Sequence, residues 1–262
     1  MEADSSDDGN IVNLYRFRSG SYVLYVEVEP HCILIEDKCD YGFPPAIRKL
    51  LPPTLPSSHN LVKITSNGEI TSCKHDFKGV ETIWHPTKVD ITTLPVVRVI
   101  KCGVYKVKYR DRFAVAKVAR FEYEIRFLES ETRVYRDIDG QDIGPKFLGH
   151  LTENGRTMGI LLEHLDDFRV ASKEDLSLCI TALGRLHALG FVHGDVSRFN
   201  FLIRRDRNCA KLIDFDCSKN ATDAAIEVEL SKMLAVFKDE SFRWGEPRNE
   251  EDRTEEEYVI GI

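Results

Sequence analysis

The stretch from Val192 to Asp216, VHGDVSRFNFLIRRDRNCAKLIDFD, constrains this chain more than any other. An apolar run ends at His193, and Asp195 and Asn200 follow at the spacing H-x-D-x-x-x-x-N. A strand-like KLIDF then ends in Asp214. A short loop at that spacing can aim the Asp195 carboxylate and the Asn200 amide into one cleft, and the strand delivers a second carboxylate after them. His193 and His187 read as packed histidines of the scaffold rather than as reacting groups.

The rest of the chain frames that stretch. Residues 1–10 are acidic and rich in serine and glycine, the composition of a disordered tail. Residues 11–95 read as a β-rich extension to which no chemistry is assigned. A hairpin turning at Pro30 would join Tyr22–Val28 to His31–Ile35, and Asn67-Gly68 marks a second one between Leu61–Ile64 and Ile70–Ser72. Between them FPPAIRKLLPPTLPSS carries too many prolines to stay regular, and WHPTKVDITTLP at 84–95 reads as a linker. From Val96 the pattern is orderly, with strands at 96–100, 104–109 and 113–118 and a helix over 121–138. The helix carries an apolar stripe of Phe121, Ile125, Leu128, Tyr135 and Ile138. KFLGHL and TMGILLEHL supply two more strands. Ser172 and Asp175 form a capping box for a helix that Gly190 ends. A last helix over 223–237 is expected to bury Ile226, Leu230, Leu234 and Phe237, and the tail at 241–262 is highly charged.

Composition excludes several function classes. At 262 residues and 42% hydrophobic the chain can bury a substantial core. A net charge of -7 argues against sequence-independent nucleic-acid binding. No apolar run approaches the ~18 residues of a membrane span, and the first residues lack secretory or transit character. Seven cysteines without a C-x-x-C pair suggest buried free thiols in a reducing, cytoplasmic compartment.

The order and spacing of Asp195, Asn200 and Asp214 resemble those of the protein-kinase-like superfamily. That resemblance implies Asp195 as the base beside an acceptor hydroxyl, with Asn200 and Asp214 holding Mg2+ on the phosphates of ATP. Lys117 in FAVAK then matches the strand lysine that reaches the phosphates. Val115 shares its face, because side chains alternate along a strand. Glu131, one turn before Tyr135, is the expected partner of Lys117, with Glu124 and Glu129 as rivals on the same helix. Gly103 in KCGVYKV would let backbone N–H groups approach phosphate, or it is a plain turn. Glu163 and Leu165 match the backbone hinge that reads adenine, or belong to an ordinary edge strand. Arg198 would reach the transferred phosphoryl group, or is a surface arginine.

Three departures separate the chain from protein kinases. Ser197 stands where a lysine is usual, and Asp216 replaces a glycine, where it helps with metal or caps the next turn. Few residues follow Asp216, so no activation segment or peptide-docking lobe is expected. WHPTKVD, RFEYEI, IGPKFLGHLTENGR and HGDVSRFNFLI together resemble a fungal kinase-like family related to the aminoglycoside-type phosphotransferases, over residues 80–240. Some members carry an α-galactosidase label, but such glycosidases need paired carboxylates on a (β/α)8 barrel, and the βα repeats are missing here. The resemblance implies an α+β, two-lobed fold. Its N-lobe at 96–163 would hold a five-stranded sheet and one helix, and its C-lobe at 164–240 would be reduced and helical. The implied activity is ATP- and magnesium-dependent transfer of the γ-phosphoryl group to a hydroxyl, with a small molecule as the expected acceptor. An atypical protein serine/threonine kinase and a nucleotide-binding pseudokinase scaffold remain as alternatives.

Overall fold

The computed structural model describes residues 2–4, 12–19, 22–30, 32, 51, 55–206 and 208–238. These have a mixed α+β fold with several sheets and three α-helices. They divide into two compact units, one of the described residues up to Lys78 together with Arg120–Glu122, the other of Gly79–Ala119 and the described residues from Tyr123 onward.

The first unit is a five-stranded sheet of β1 (Glu2–Asp4), β2 (Asn13–Ser19), β3 (Tyr22–Val28), β4 (Leu61–Ile64) and β5 (Ile70–Cys73), in sequence order across the sheet. Only β3 and β4 run parallel. Alternation along β3 feeds two cores. Leu24, Val26 and Val28 pack with Tyr15, Val62 and Ile64, while Val23 and Tyr25 pack with Leu61 and Phe121. The hairpin at Asn67-Gly68 is present, with Gly68 at φ +84°, a turn conformation that suits glycine.

Several expectations change in this unit. Glu2–Asp4, expected in a disordered tail, pair with β2 and so satisfy backbone groups along its edge. The neighbours of β3 are β2 and β4. The hairpin partner expected at 31–35 lies, apart from Cys32, outside the described residues, as do most of the proline-rich segment and the tail at 241–262. Phe121 packs in this unit's core instead of opening the helical stripe.

The second unit holds β6 (Lys88–Asp90), β7 (Val96–Lys101), β8 (Val104–Tyr109), β9 (Arg112–Val118), helix α1 (Ile125–Asp137), β10 (Phe147–Glu153) and β11 (Arg156–Glu163). Its sheet has six strands, ordered β6-β10-β11-β9-β8-β7, not the five expected. The sixth is β6, in the supposed linker, which pairs in parallel with β10 through Lys88, Val89 and Asp90. Trp84 and His85 are fixed there too, because both backbone N–H groups donate to His150 Nε2 at 3.2 Å. Period-2 alternation separates two cores on this sheet. Val115, Ile160 and Leu162 face α1 with Ile125, Leu128 and Tyr135, while Ala114, Ala116, Val118, Leu151 and Met158 pack the opposite face with Ile91 and Leu94.

Beyond the large sheet come β12 (Phe168–Val170), α2 (Leu176–Ala188), β13 (Phe191–Val192), β14 (Phe201–Arg204), β15 (Ala210–Leu212), β16 (Lys219–Asn220) and α3 (Asp223–Lys238). This region is not purely helical, since β12-β14-β15 and β13-β16 form two small sheets. The expected capping box at Ser172 and Asp175 precedes α2. In α3 the buried face is rotated from the expected one: Met233 and Phe237 are buried with Glu229, and Leu234 is 39% exposed. None of the described cysteines forms a disulfide. Only Cys179 among them is fully buried, and Cys73, Cys102 and Cys217 are exposed, against the expectation of buried thiols.

Candidate functional site

The site is built on β9, α1, the loop between β13 and β14, and the turn that follows β15. Alternation along β9 turns Lys117 to the same face as Val115, toward α1, and both line one cavity. Lys117 Nζ lies 2.6 Å from Glu131 Oε2 and also pairs with Asp214 Oδ1. The Glu131 side chain is 1% exposed and Lys117 17%, so the pair sits in low dielectric, where each charge needs the other. The rival carboxylates do other things. Glu129 accepts from the backbone N–H groups of Glu81 and Thr82 and from the Thr82 hydroxyl. Glu124 lines a neighbouring cavity.

Asp214 is held in the left-handed region at φ 68°, ψ 61°. Both of its carboxylate oxygens face ammonium groups, Oδ1 that of Lys117 and Oδ2 that of Lys101 at 2.9 Å. Burial works to raise its pKa, but the charges of Lys117 and then Lys101 win and hold it well below the usual carboxylate range. For Lys117 burial opposes the charge, and Glu131 and Asp214 together overcome it, so its pKa rises. Among the described residues, Lys117 is the one cation paired with Glu131. Burial therefore prevails over the lowering pull of Lys117, and its carboxyl is shifted upward.

The loop carrying Asp195 is tied down from several sides. Asp195 Oδ2 accepts from Asn200 Nδ2 at 2.9 Å and Oδ1 accepts from Ser197 N–H at 3.1 Å. Ile213 N–H donates to the Asn200 carbonyl at 3.1 Å, which ties this loop to the residue before Asp214. His193 Nε2 donates to the Ile213 carbonyl at 2.9 Å, and burial lowers its pKa against the raising pull of that bond. Its ring packs 5.3 Å from Phe215, which in turn lies 5.2 Å from Tyr135 on α1. Both histidines thus hold structure, as the sequence suggested, since His187 Nε2 pairs with Glu229 at 2.7 Å. Gly194 at φ +88° leaves no space for a side chain, because a Cβ would fall 2.3 Å from the Cys217 carbonyl oxygen.

The ten residues expected at the site are distributed unevenly. Val115, Lys117, Glu131, Glu163, Leu165 and Asp214 line one cavity, and Gly103 lines the adjoining one. Asp195, exposed, and Asn200, buried, form their own cluster, with Arg198 half-buried between them in sequence. Two further residues escaped sequence reasoning. Glu229 on α3 accepts from His193 N–H at 3.1 Å and Gly194 N–H at 2.6 Å, anchoring the start of the loop. Lys101 at the end of β7 reaches Asp214. A glutamate within the apolar face of a helix was the available signal for the first, while a lysine before a turn carries little for the second.

No family model matches the sequence, and no match was found among curated proteins. Among the described residues no group of three His, Cys, Asp or Glu side chains is placed to hold a metal ion. No helix among them is long and apolar enough to cross a membrane.

Proposed function

We propose that the second unit is a two-lobed, kinase-like phosphotransferase that moves the γ-phosphoryl group of ATP to a hydroxyl, with Mg2+. The observation that carries this reading is the cavity in which Lys117, paired with Glu131, meets Asp214. A buried ammonium fixed by a carboxylate is a preorganised anion-binding group, worth most where water is excluded. Lys117 would bind the phosphate chain, and Glu131 would hold its ammonium in place. Glu163 and Leu165 would offer backbone groups to the base, against the apolar wall of Val104, Val115, Leu162 and Leu202.

Asp195 would take the proton of the acceptor hydroxyl as its oxygen bonds to the γ-phosphorus. The bond from that phosphorus to the bridging oxygen breaks, and ADP leaves with the electron pair. Asn200 Nδ2 orients the Asp195 carboxylate. Magnesium would neutralise the phosphate oxygens. The Asp214 carboxylate and the Asn200 amide oxygen would hold it, since this hard ion accepts few protein ligands and takes the rest from phosphate and water. A small acceptor is favoured by the path after Asp214: Phe215–Cys217 lead straight into β16 and α3, so residues 217–223 hold no inserted segment for docking a peptide.

One observation favours a second reading, a nucleotide-binding scaffold without transfer: both Asp214 oxygens are engaged by lysines. A thermal melt with ATP, with and without Mg2+, tests the main reading, and product analysis with hydroxyl-bearing small molecules separates it from the scaffold. A ligand at about 100 times its dissociation constant adds ~2.7 kcal/mol. The melting temperature should therefore rise with Mg-ATP, and less so in Lys117→Met. No shift with any purine nucleotide in folded protein overturns the proposal.

A further inference from the structure

Lys101 stands apart from the other charged groups of the cavity. It is the last residue of β7 and pairs in register with Val104, so only Cys102 and Gly103 form the turn. So tight a turn, with one glycine, offers few backbone N–H groups to an anion. The Lys101 ammonium nevertheless points into the same space, lining both adjoining cavities with Lys117, Glu131 and Asp214. Its contact with Asp214 Oδ2 is 2.9 Å, but its side chain is 49% exposed where that of Lys117 is 17%. Lys117 is also held by Glu131, whereas among the described residues the ion-pair partner of Lys101 is Asp214. A half-exposed ion pair exchanges at little cost. The oxygen it covers, Asp214 Oδ2, is one that a metal ligand would have to present.

We propose that Lys101 is a phosphate-binding residue: it releases Asp214 and pairs with the phosphate chain of a nucleoside triphosphate, a side-chain cation doing what a glycine-rich loop does with backbone amides. This rests on reading the cavity as a nucleotide site. The flexible four-carbon stem suits the exchange, since an ammonium is a point charge that can swing between two anions. The carboxylate it leaves and the phosphate it meets are both oxygen anions, so the pairing it loses is replaced in kind.

The test is a set of dissociation constants measured by titration calorimetry on the full chain, for ATP, inorganic triphosphate and adenosine, with the parent, Lys101→Met and Lys101→Arg. Losing one charge-assisted contact should weaken ATP and inorganic triphosphate about tenfold in Lys101→Met. Adenosine should bind equally to all three proteins, and Lys101→Arg should restore most of the triphosphate affinity. The triphosphate affinity of Lys101→Met should also depend less on salt than that of the parent. Equal triphosphate affinity in parent and Lys101→Met overturns the assignment and leaves the nucleotide site standing. So does a matching loss of adenosine affinity, which would make the role of Lys101 a structural one. A parent that binds none of the three probes overturns the nucleotide site and this assignment together.

Discussion

His150 gives the second unit a pH dependence whose size follows from its surroundings. The residue is fully buried on β10, and Nε2 accepts hydrogen bonds from the backbone N–H groups of Trp84 and His85, which requires that nitrogen to stay unprotonated. Burial, aided by the charges of His85 and Lys88, lowers its pKa from 6.5 to about 4. A histidine depressed in the folded state binds its proton more readily when unfolded, so stability falls as pH drops through that interval. It is fully present above 6.5, and the loss is complete below about 4. At 1.36 kcal/mol per pH unit the whole interval is worth about 3 kcal/mol, of which about 2 kcal/mol is already gone at pH 5. His150→Gln keeps an acceptor near the Nε2 position and cannot titrate. Urea unfolding of parent and variant between pH 5 and 7.5 isolates the contribution as a difference between them. The variant should be the less stable at pH 7.5, and the gap should close by about 2 kcal/mol by pH 5. A gap independent of pH would refute the argument.

Two further substitutions probe the loop. Asp195→Asn keeps the shape of the side chain but removes the proton acceptor, so turnover should fall by ~10² to 10⁴ while the ATP dissociation constant barely moves; a matching loss of nucleotide affinity would place Asp195 in ATP binding instead. Glu229→Gln presents one oxygen and an amide to three donors, His187 Nε2 and the N–H groups of His193 and Gly194. It should cost about 1–3 kcal/mol and speed hydrogen exchange at the His193 and Gly194 amides; unchanged exchange there would remove Glu229 from the anchoring role.

How much of this could be read from the sequence depended on how local each signal was. Period-2 alternation in FAVAK put Val115 and Lys117 on one face, and both line the cavity. The capping box before α2 and the Asn67-Gly68 hairpin are written in adjacent residues and are present. Glu131 could be preferred to Glu129 only weakly, because both sit on α1; burial separates them, through contacts with Lys117 and with Glu81 and Thr82. β6 was missed because three residues between two prolines show no periodicity, and its pairing comes entirely from β10. On α3 the choice between Leu234 and Met233 turned on a rotation of one position, which composition does not register. Lys101 and Glu229 owe their meaning to partners far along the chain.

The parallel pairing of β6 with β10 also sets an order of assembly. Trp84 leaves the ribosome 66 positions ahead of His150, the residue that accepts its backbone hydrogen bond. At ~5–20 residues per second that is a wait of about 3 to 13 s. During it the Trp84–Asp90 segment has neither its strand partner nor its acceptor. Closing so long a loop is a late event in folding. The segment is therefore the part of the six-stranded sheet most open to a chaperone, or to pairing with the wrong strand, while the protein is being made.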